Sequence, residues 1–517
     1  MAKIFTALML IISSLTFAKD LQLPLFSEIA SLDPRIGSEK TNNVVIGCLY
    51  ESLFRYNPDG EIIPALCKNW KVSTDGLKYT FYLKDSVWSD GSPCTAYDFE
   101  YAWKKCVDPQ FVERATYVMY PIKNAQASVL GKVSLDDVGV KALDKNTLEL
   151  HLEYPTDYIF HACAAHSNYK PIPKHHDEQD PKRLKGARKN VITNGPFELK
   201  KWNSNDKIIL EKSLNYWDKE NVYFGSIIFN IIESSNTAVL LFEKGKLDWV
   251  GEPLIVVEDD HISGGRRKAF KSVDVDMVDY LSINTKAYPF DNLNFRKAIA
   301  YAVDRKEIAD NLFAKNTKIA TTSLLNGSVS VKDGEYFTYS EEKAKKHLST
   351  ALKEMGVSAE DLNIEYCVRS GYEKQAIFLQ EQFKKILGLK VGIRTKEWNS
   401  HFSDMRNGNY QIGEISLTSY IPGPEFYLFS FIEANAPLNL SNWENIVFND
   451  LFYRAKVSED ICKKRKYYQL AECLFIENFP IIPVTQRIAK YKTNSKLKGY
   501  YFSPGFYLDL KNAYFDD

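Results

Sequence analysis

Residues 69–83 read NWKVSTDGLKYTFYL, and this stretch decides what the first part of the chain becomes. Apolar and polar side chains alternate from Lys78 to Leu83, which is the period of a β-strand with one buried face. Asp75-Gly76 precedes that run, and Asp-Gly between two such segments is a strong signal for a β-hairpin. The stretch therefore predicts a hairpin, and we expect Trp70 on its first strand to lie in a core.

The same kind of signal continues on the carboxyl side of the hairpin. A second turn from Trp88 to Pro93 precedes a helix whose predicted N-cap is Thr95, because Asp98 three residues later completes a capping box. Val138 to Leu152 is predicted to form another hairpin. Residues 61–160 are therefore predicted to be rich in β-structure.

The rest of the chain alternates strands with helices, which indicates two α/β lobes. Ser226 to Ile232 is a continuous apolar run and predicts a strand buried on both faces, followed by a helix from Asn236 to Lys244. Beyond residue 290 helices dominate. The predicted helices span Asn294–Leu312, Ser340–Met355 and Tyr372–Leu387, and predicted strands span Leu362–Tyr366 and Val391–Arg394.

The composition is that of a globular protein with more than one core. The chain has 517 residues, 45% of them hydrophobic and 26% charged, whereas a single core stops growing near roughly 250–300 residues. Lys plus Arg and Asp plus Glu both number 66, so the formal net charge is zero. Binding to nucleic acid or to an anionic membrane favours a basic excess. The charge balance therefore argues against both of these partners.

The amino terminus has the layout of a cleavable secretory signal. Lys3 precedes a nearly continuous apolar run from Ile4 to Ile12, and the segment ends on Ala18 before polar sequence begins. A run of about nine residues is too short to cross a bilayer. We therefore expect residues 1–18 to be removed and the protein to be exported to the periplasm. The first cysteine is Cys48, so no lipid attachment is expected near the cleavage point.

Neither the cysteines nor any sequence motif indicates a reaction. The eight cysteines include no CxxC pair, and an oxidising compartment would permit disulfides, with Cys67 and Cys94 as the first pair to test. The chain lacks the GxxxxGK(S/T), GxSxG and HExxH motifs, and it has no GxGxxG between a strand and a helix. His175-His176 lies in a polar stretch that is expected to be solvated. We predict that the protein is not an enzyme and uses neither a metal nor another cofactor.

Three separated stretches carry a family resemblance. They contain LCKNW, STDG, YTFYL, WSDGSP and TAYDF between Leu66 and Phe99; NGPF, NYW and FEKGKLD between Asn194 and Asp248; and LSINT and FRKAI between Leu281 and Arg305. In this order they resemble the family-5 extracellular solute-binding proteins of ABC importers, the oligopeptide-, dipeptide- and nickel-binding group. The oligopeptide-binding branch is the most similar. Most of these residues are expected in turns and cores, so they indicate a fold and not a ligand.

The resemblance implies an α/β fold of the periplasmic-binding-protein type II, with two α/β lobes, a hinge and an extra β-rich domain. Lobe I would comprise residues 19–50, 172–277 and 488–517, the extra domain residues 51–171, and lobe II residues 278–487. The chain would cross between the lobes twice, as a hinge requires. A ligand would bind in the open cleft, and closure would bury it.

The resemblance also implies positions for ligand contacts in lobe II. Trp398 would pack on the ligand, although a core role fits it equally well, and Arg406 belongs to the same family pattern. The branch holds the amino terminus of a peptide with the carboxylate of an Asp-Tyr pair. Ser419-Tyr420 stands at that place, so the carboxylate is missing. Gln486-Arg487 stands where the branch is rich in tyrosine.

Three arginines are candidate partners for a ligand carboxylate, because a guanidinium can bind both carboxylate oxygens. They are Arg114, Arg406 and Arg487, and a surface or structural role is the alternative for each. Tyr117 and Tyr280 complete the expected contacts. The missing carboxylate and these arginines raise the question of whether a free peptide amino terminus is required.

The leading prediction is the substrate-binding component of an ABC peptide importer, which acts as a monomer and delivers short oligopeptides to a membrane permease. An extended peptide suits the cleft, because its backbone can pair with strand edges whatever its side chains are. One alternative is a binder of a cell-wall peptide, a metal chelate or another carboxylate-rich ligand. The other is an extracytoplasmic scaffold or chaperone that no longer serves transport.

Overall fold

The computed structural model describes residues 20–36, 40–111, 116–156, 158–179, 190–257, 270–312, 317–320, 337–418, 424–432 and 439–516. The expected signal segment, residues 1–18, lies outside the described residues. None of the helices in the described ranges combines the length and the apolarity that a bilayer crossing needs.

The first part of the chain is β-rich, as the hairpin signals predicted. Its strands are Leu21–Leu25 (β1), Phe54–Tyr56 (β2), Ile62–Pro64 (β3), Cys67–Val72 (β4), Lys78–Leu83 (β5), Ser86–Val87 (β6), Pro93–Cys94 (β7), Val140–Asp144 (β8) and Thr147–His151 (β9). Its helices are Lys40–Leu49 (α1), Ala96–Cys106 (α2), Ala125–Val129 (α3), Tyr158–Ala165 (α4) and Lys174–Asp177 (α5).

Both predicted hairpins are confirmed, and they share one sheet. β4 pairs antiparallel with β5, and β8 pairs antiparallel with β9, in the strand order β4-β5-β9-β8. Gly76 has φ +68°, the left-handed conformation that glycine adopts without strain. The Asp-Gly turn thus takes the conformation that its sequence predicted.

The expectation that Trp70 is a core residue is wrong. Its side chain is 38% exposed, although its ring meets Phe54 and Phe160 edge-on at 5.3 and 5.7 Å between centroids. The side chains from Lys68 to Val72 are all exposed, so neither face of β4 is fully covered by another layer. Alternation along a strand therefore did not reveal how deeply this strand is buried.

The predicted cap of α2 is confirmed. Asp98 accepts hydrogen bonds from the Thr95 backbone N–H at 2.7 Å and from the Thr95 hydroxyl at 3.0 Å. The second oxygen of Asp98 accepts from the backbone N–H of Lys174 at 2.9 Å. The cap therefore also ties α2 to the distant segment that begins α5.

We expect Thr95→Ala to lower the free energy of unfolding by about 1 kcal/mol, the typical contribution of a side-chain N-cap. Urea denaturation followed by circular dichroism measures this change. Thr95→Ser is the matched control, because it keeps the hydroxyl and should unfold at the wild-type urea concentration. An unchanged midpoint for Thr95→Ala would show that the hydroxyl adds nothing to the cap.

The middle part of the chain builds a second four-stranded sheet. Its elements are Phe197–Asn203 (β10), Lys207–Lys212 (β11), Ser226–Ile231 (β12), Ser235–Glu243 (α6), Trp249–Gly251 (β13) and Lys271–Ile283 (β14). The strand order is β1-β12-β11-β10, and β1 pairs parallel with β12. The amino-terminal strand therefore completes a sheet made mostly of residues that come much later.

The prediction that β12 is buried on both faces is wrong. Ile227 and Phe229 are fully buried, whereas Ile228, Asn230 and Ile231 between and beyond them are only partly covered. One face of β12 is therefore buried and the other is only partly covered, whereas the continuous apolar run predicted burial of both faces.

The last part of the chain is dominated by helices packed on one large sheet. Its helices are Leu293–Ala302 (α7), Arg305–Leu312 (α8), Glu341–Met355 (α9), Glu373–Leu387 (α10), Trp398–Arg406 (α11), Pro424–Phe429 (α12), Ile446–Val457 (α13) and Ile461–Glu477 (α14). Its strands are Lys318–Ile319 (β15), Ile364–Arg369 (β16), Val391–Lys396 (β17), Ile412–Thr418 (β18), Ile481–Thr493 (β19), Leu497–Lys498 (β20), Tyr501–Ser503 (β21), Tyr507–Asp509 (β22) and Tyr514–Phe515 (β23).

The single helix predicted over Asn294–Leu312 is in fact two helices. Val303 has extended backbone angles and ends α7. Asp304 caps α8, since its carboxylate accepts from the Glu307 N–H at 3.0 Å, and its own N–H donates to Gln382 at 3.1 Å. The break therefore depends on α10, whose position no local pattern could reveal.

Two long strands connect the two halves of the molecule. The large sheet has the order β13-β19-β14-β18-β16-β17, and its central strands β14 and β19 are 13 residues long each. One hydrophobic core draws on residues from Leu21 to Leu254 and from Tyr491 to Ala513, and another on Val278 to Val484. We call the parts of the chain around these cores the first body and the second body. The β-rich segment and the first α/β sheet share one core.

All eight cysteines are free thiols in the structure. Cys67 Sγ donates to the Asn69 carbonyl at 3.1 Å, and Asn194 Nδ2 donates to Cys94 Sγ at 3.6 Å. Cys67 and Cys94, the pair that the sequence singled out for testing, are therefore not bonded to each other in the structure.

Candidate ligand-binding cleft

The parallel strands of the second body end at one edge of its sheet. β16 is parallel to both β17 and β18, so the residues at their carboxyl ends lie side by side. These are Arg369 at the end of β16, Trp398 at the start of α11 after β17, and Thr418 at the end of β18. In open α/β sheets, ligands bind outside the carboxyl ends of the strands. This edge of the sheet is therefore a candidate ligand-binding site.

An aspartate and an arginine form an ion pair where the long strands pass this edge. Arg487 on β19 donates from Nε to the carboxylate of Asp279 on β14 at 3.1 Å. Thr485 donates to the same carboxylate at 3.3 Å, and the Ser416 hydroxyl donates to its other oxygen. Burial alone would raise the pKa of Asp279, but the charge of Arg487 and these hydrogen bonds hold that pKa below its usual value.

A second ion pair lies beside the first. Arg369 Nε is 3.0 Å from one oxygen of Glu414, and its Nη2 donates to the other oxygen at 3.1 Å. The same Nη2 donates to Ser416 Oγ at 3.0 Å, so Ser416 joins the two pairs. Burial raises the pKa of Glu414 to about 8, against the opposing effect of Arg369. Glu414 therefore binds a proton more readily than an ordinary glutamate.

Two aromatic rings flank the guanidinium groups. The Arg369 guanidinium carbon lies 4.0 Å from the ring centroid of Tyr372 and 5.2 Å from that of Trp398. The Arg487 guanidinium carbon lies 5.7 Å from the Tyr372 ring, and its Nη2 donates to the Tyr372 hydroxyl. Stacking on rings holds guanidinium planes in place and leaves their edges available. We call Asp279, Arg369, Tyr372, Trp398, Glu414, Ser416 and Arg487 the arginine cluster.

The arginine cluster presents positive charge to its open side. The Arg487 and Arg369 side chains are 30% and 19% exposed, whereas Asp279 and Glu414 are 5% and 0% exposed. Nη1 of neither arginine donates to an acceptor among the described residues. Both carboxylates are thus already paired and covered. The cluster is suited to receiving a carboxylate, and it offers no described carboxylate to a ligand ammonium group.

The cluster lies next to the point where a joining strand enters the first body. Burial lowers the pKa of Arg487, but Asp279 and, more weakly, Glu252 raise it, so the net pKa is above its ordinary value. Glu252 follows β13, which pairs with the first-body end of β19, and the Glu252 N–H donates to the Lys490 carbonyl at 2.9 Å. The cluster therefore lies beside the strands that join the two bodies.

The structure brings some of the predicted contacts together and separates others. Trp398 and Arg487 are both in the cluster, and Trp398 is 38% exposed, so it is not a core residue. Gln486 is adjacent on β19. Its side-chain amide nitrogen Nε2 is buried and has no hydrogen-bond partner among the described residues. Tyr280 is buried in the second core.

The remaining predicted contacts lie elsewhere or cannot be placed. Arg406 is exposed at the end of α11, and its charge acts on Tyr120 of the first body. Tyr117 belongs to a short 3-10 turn, but its side chain is not among those described, and Arg114, Ser419 and Tyr420 lie outside the described residues. Their roles stay predictions.

Sequence reasoning missed five members of the cluster. They are Asp279, Arg369, Tyr372, Glu414 and Ser416. A usable signal was present for two of them, because Glu414 interrupts the largely apolar strand β18 and Arg369 ends β16. A charged side chain inside an apolar strand needs a partner, since an unpaired buried charge is strongly unfavourable.

Two α/β sheets with separate cores, joined by two continuous strands beside a polar edge, define a two-lobed solute-binding protein. The family described as bacterial extracellular solute-binding proteins, family 5 Middle, matches residues 61–436. The chain belongs to this family, which confirms both the family and the fold class predicted from the sequence.

Similar proteins agree over nearly the whole chain. It is 33% identical over 504 residues to the oligopeptide-binding protein OppA of Bacillus subtilis (strain 168), covering 96% of this chain and 92% of that protein. A periplasmic oligopeptide-binding protein of an ABC transporter from Borrelia burgdorferi (OppAIV) superimposes with a TM-score of 0.83 at 26% identity, covering 95% and 99% of the two chains. Listeria monocytogenes OppA bound to peptide gives 0.81 at 26% identity, covering 97% and 99%.

Proposed function

We propose that this protein is the substrate-binding component of an ABC peptide importer. It captures short oligopeptides between its two bodies and delivers them to a membrane permease. Two of the similar proteins are named for oligopeptide binding, and a third was solved with a peptide bound. In this proposal residues 1–18 direct export and are removed, and the mature protein acts in the periplasm as a monomer.

The observation that carries the proposal is the position of the arginine cluster. It lies at the carboxyl edge of parallel strands and beside the two strands that join bodies with separate cores, so closure of the bodies would bury a ligand bound there. A ligand that is buried there must have its charged groups paired. The backbone of an extended peptide can pair with strand edges independently of its side chains.

The arginine cluster also indicates which group of the peptide is bound. Arg369 and Arg487 are the residues that we assign to a ligand carboxylate, either the carboxyl terminus or an acidic side chain of the peptide. Since Asp279 and Glu414 are already paired, a free amino terminus is not the main anchor in this assignment. A cell-wall peptide or another ligand rich in carboxylates is the second candidate, because the exposed groups of the cluster are cationic.

Calorimetric titration distinguishes a peptide that is held by its carboxylate from one that is held by its amino terminus. The probes are pools of tri- to pentapeptides with free ends, with acetylated amino ends, and with amidated carboxyl ends. We expect acetylation to change affinity little and amidation to weaken it about tenfold, the effect of losing one charge-assisted hydrogen bond. Loss of binding on acetylation alone would contradict the carboxylate assignment. Failure of every pool to bind would favour a scaffold role.

Arg369→Met is expected to weaken binding of the free-ended peptides about tenfold, because it removes one cationic partner of the carboxylate. The double variant Arg369→Met/Glu414→Gln removes the ion pair without leaving a buried charge, and should bind as weakly as the single variant. Arg454→Met changes an exposed arginine on α13 and is the matched control. Wild-type affinity in the double variant would mean that Arg369 serves only to neutralise Glu414.

A further inference from the structure

A buried lysine lies where the two bodies touch, and the aromatic rings and carboxylates around it are not members of the arginine cluster. Lys456, near the end of α13, is 5% exposed. Its ammonium lies 2.9 Å from the ring centroid of Tyr154, and 5.4, 5.6 and 5.6 Å from those of Phe429, Phe452 and Tyr453. An ammonium over the face of a ring is attracted by the ring quadrupole, most strongly where water is excluded. We call these four rings the lysine cage.

The lysine cage is built from both bodies. Phe429, Phe452 and Tyr453 belong to α12 and α13 of the second body, as Lys456 does. Tyr154 belongs to the first body, in the segment between β9 and α4. Of the described rings around the ammonium, Tyr154 is the one that belongs to the first body.

The segment that carries Tyr154 is fixed to its own body. The hydroxyl of Tyr79 on β5 donates to the Thr156 carbonyl at 2.9 Å, and the Thr156 hydroxyl accepts from the Tyr158 N–H at 3.1 Å. That same hydroxyl donates to Glu425 of the second body at 3.3 Å. The interface contact thus joins this anchored segment to α12, and a rotation about β14 and β19 that separates the bodies there would break it.

The charged groups that face Lys456 come from both sides as well. Burial lowers the pKa of Lys456 to about 7, and the carboxylates of Glu425 and Glu153 act in the opposite direction. Burial and Glu425 raise the pKa of Tyr154, so its ring stays neutral at every pH of interest. Tyr453 is the other ionisable side chain in the cage. At pH 6 the ammonium therefore carries its charge.

We propose that the lysine cage is a latch: Lys456 binds the ring face of Tyr154 across the interface and holds the two bodies in the closed arrangement. The inference goes beyond peptide capture and requires only that the bodies move. It assigns to the interface a contact that favours closure whatever ligand is bound. Removing the ring of Tyr154 should lower the ratio of closed to open molecules about tenfold, in keeping with a desolvated cation–π contact.

Small-angle X-ray scattering at pH 6, without ligand, measures this ratio when the curves are fitted as mixtures of closed and open forms. Tyr154→Ala is expected to increase the radius of gyration, and Lys456→Gln to do the same from the other side of the interface. The double variant should be no more open than either single variant. Tyr154→Phe keeps the ring face and should scatter like the wild type.

Tyr97→Ala and Lys463→Gln are the matched controls, since both remove exposed side chains of the same types from the two bodies. Circular dichroism checks that each variant is folded. If Tyr154→Ala fails to fold, Lys456→Gln and Tyr154→Phe still test whether the contact between the ammonium and the ring favours the closed arrangement. Scattering of Lys456→Gln identical to that of the wild type would overturn the latch, and so would opening of Tyr154→Phe. The measurement uses no peptide, so its outcome is separate from the test of peptide binding.

Discussion

Replacing Arg487 with methionine is expected to lower the free energy of unfolding by about 3 kcal/mol and to abolish measurable peptide binding. The substitution leaves Asp279 buried without its ion partner, and removing one member of a buried pair typically costs about 3–5 kcal/mol. The lower end of that range applies because the Arg487 side chain is 30% exposed. Tyr372 also loses the donor to its hydroxyl. Urea denaturation and calorimetric titration measure the two effects.

Two variants show whether the loss comes from the unpaired aspartate. Asp279→Asn/Arg487→Met removes both charges and should recover more than half of the lost stability while remaining unable to bind. Arg454→Met breaks a pair with Asp450 in which both side chains are more than half exposed, and should leave the unfolding midpoint unchanged. If the double variant were as unstable as Arg487→Met, the ion pair would not be the cause of the loss.

Gly195→Ala is expected to produce the second large effect, a loss of about 3 kcal/mol of stability. The N–H of Gly195 donates to the Leu49 carbonyl at 2.9 Å. A Cβ at position 195 would lie 2.5 Å from the Leu49 carbonyl carbon and 2.6 Å from the Tyr50 nitrogen. Backbone atoms cannot move aside as a flexible side chain can, so the end of α1 and the start of β10 would have to separate.

Gly392→Ala is the matched control for this prediction. A Cβ there would meet only the Ile364 carbonyl oxygen at 3.7 Å, which is an ordinary contact. That variant should be neutral, or slightly more stable through the reduced freedom of the unfolded chain. Thermal denaturation followed by circular dichroism compares the two variants directly. Equal melting temperatures for them would contradict the close backbone approach at Gly195.

The features that were predicted well are those that neighbouring residues determine. The hairpin at Asp75-Gly76, the cap at Thr95 and the helices that begin after Ser340 and Tyr372 all have their stabilising contacts within a few residues. Turn conformation, capping and alternation act over such distances whatever the rest of the chain does. These features can therefore be predicted from the sequence before any tertiary contact is known.

The features that were predicted wrongly depend on distant segments. Trp70 is exposed because both faces of β4 are left open beyond Cys67, and the helix expected over Asn294–Leu312 is broken where Asp304 meets Gln382. β12 is only partly covered on one face, which depends on the layer that packs against that face. Local patterns carry no information on which strand ends a sheet or which helix packs beside another.

The sequence by itself determined the family, the fold class, and the turns and caps, whereas ligand contact by Trp398 and Arg487 stays a prediction. Only the tertiary structure decided that Asp279 pairs with Arg487, that Glu414 pairs with Arg369, and that Tyr154 meets Lys456. Periodicity and turn chemistry act between neighbours along the chain. Charge pairing in a cleft acts between groups that are 45 to more than 200 positions apart, and their meeting depends on how the sheets assemble.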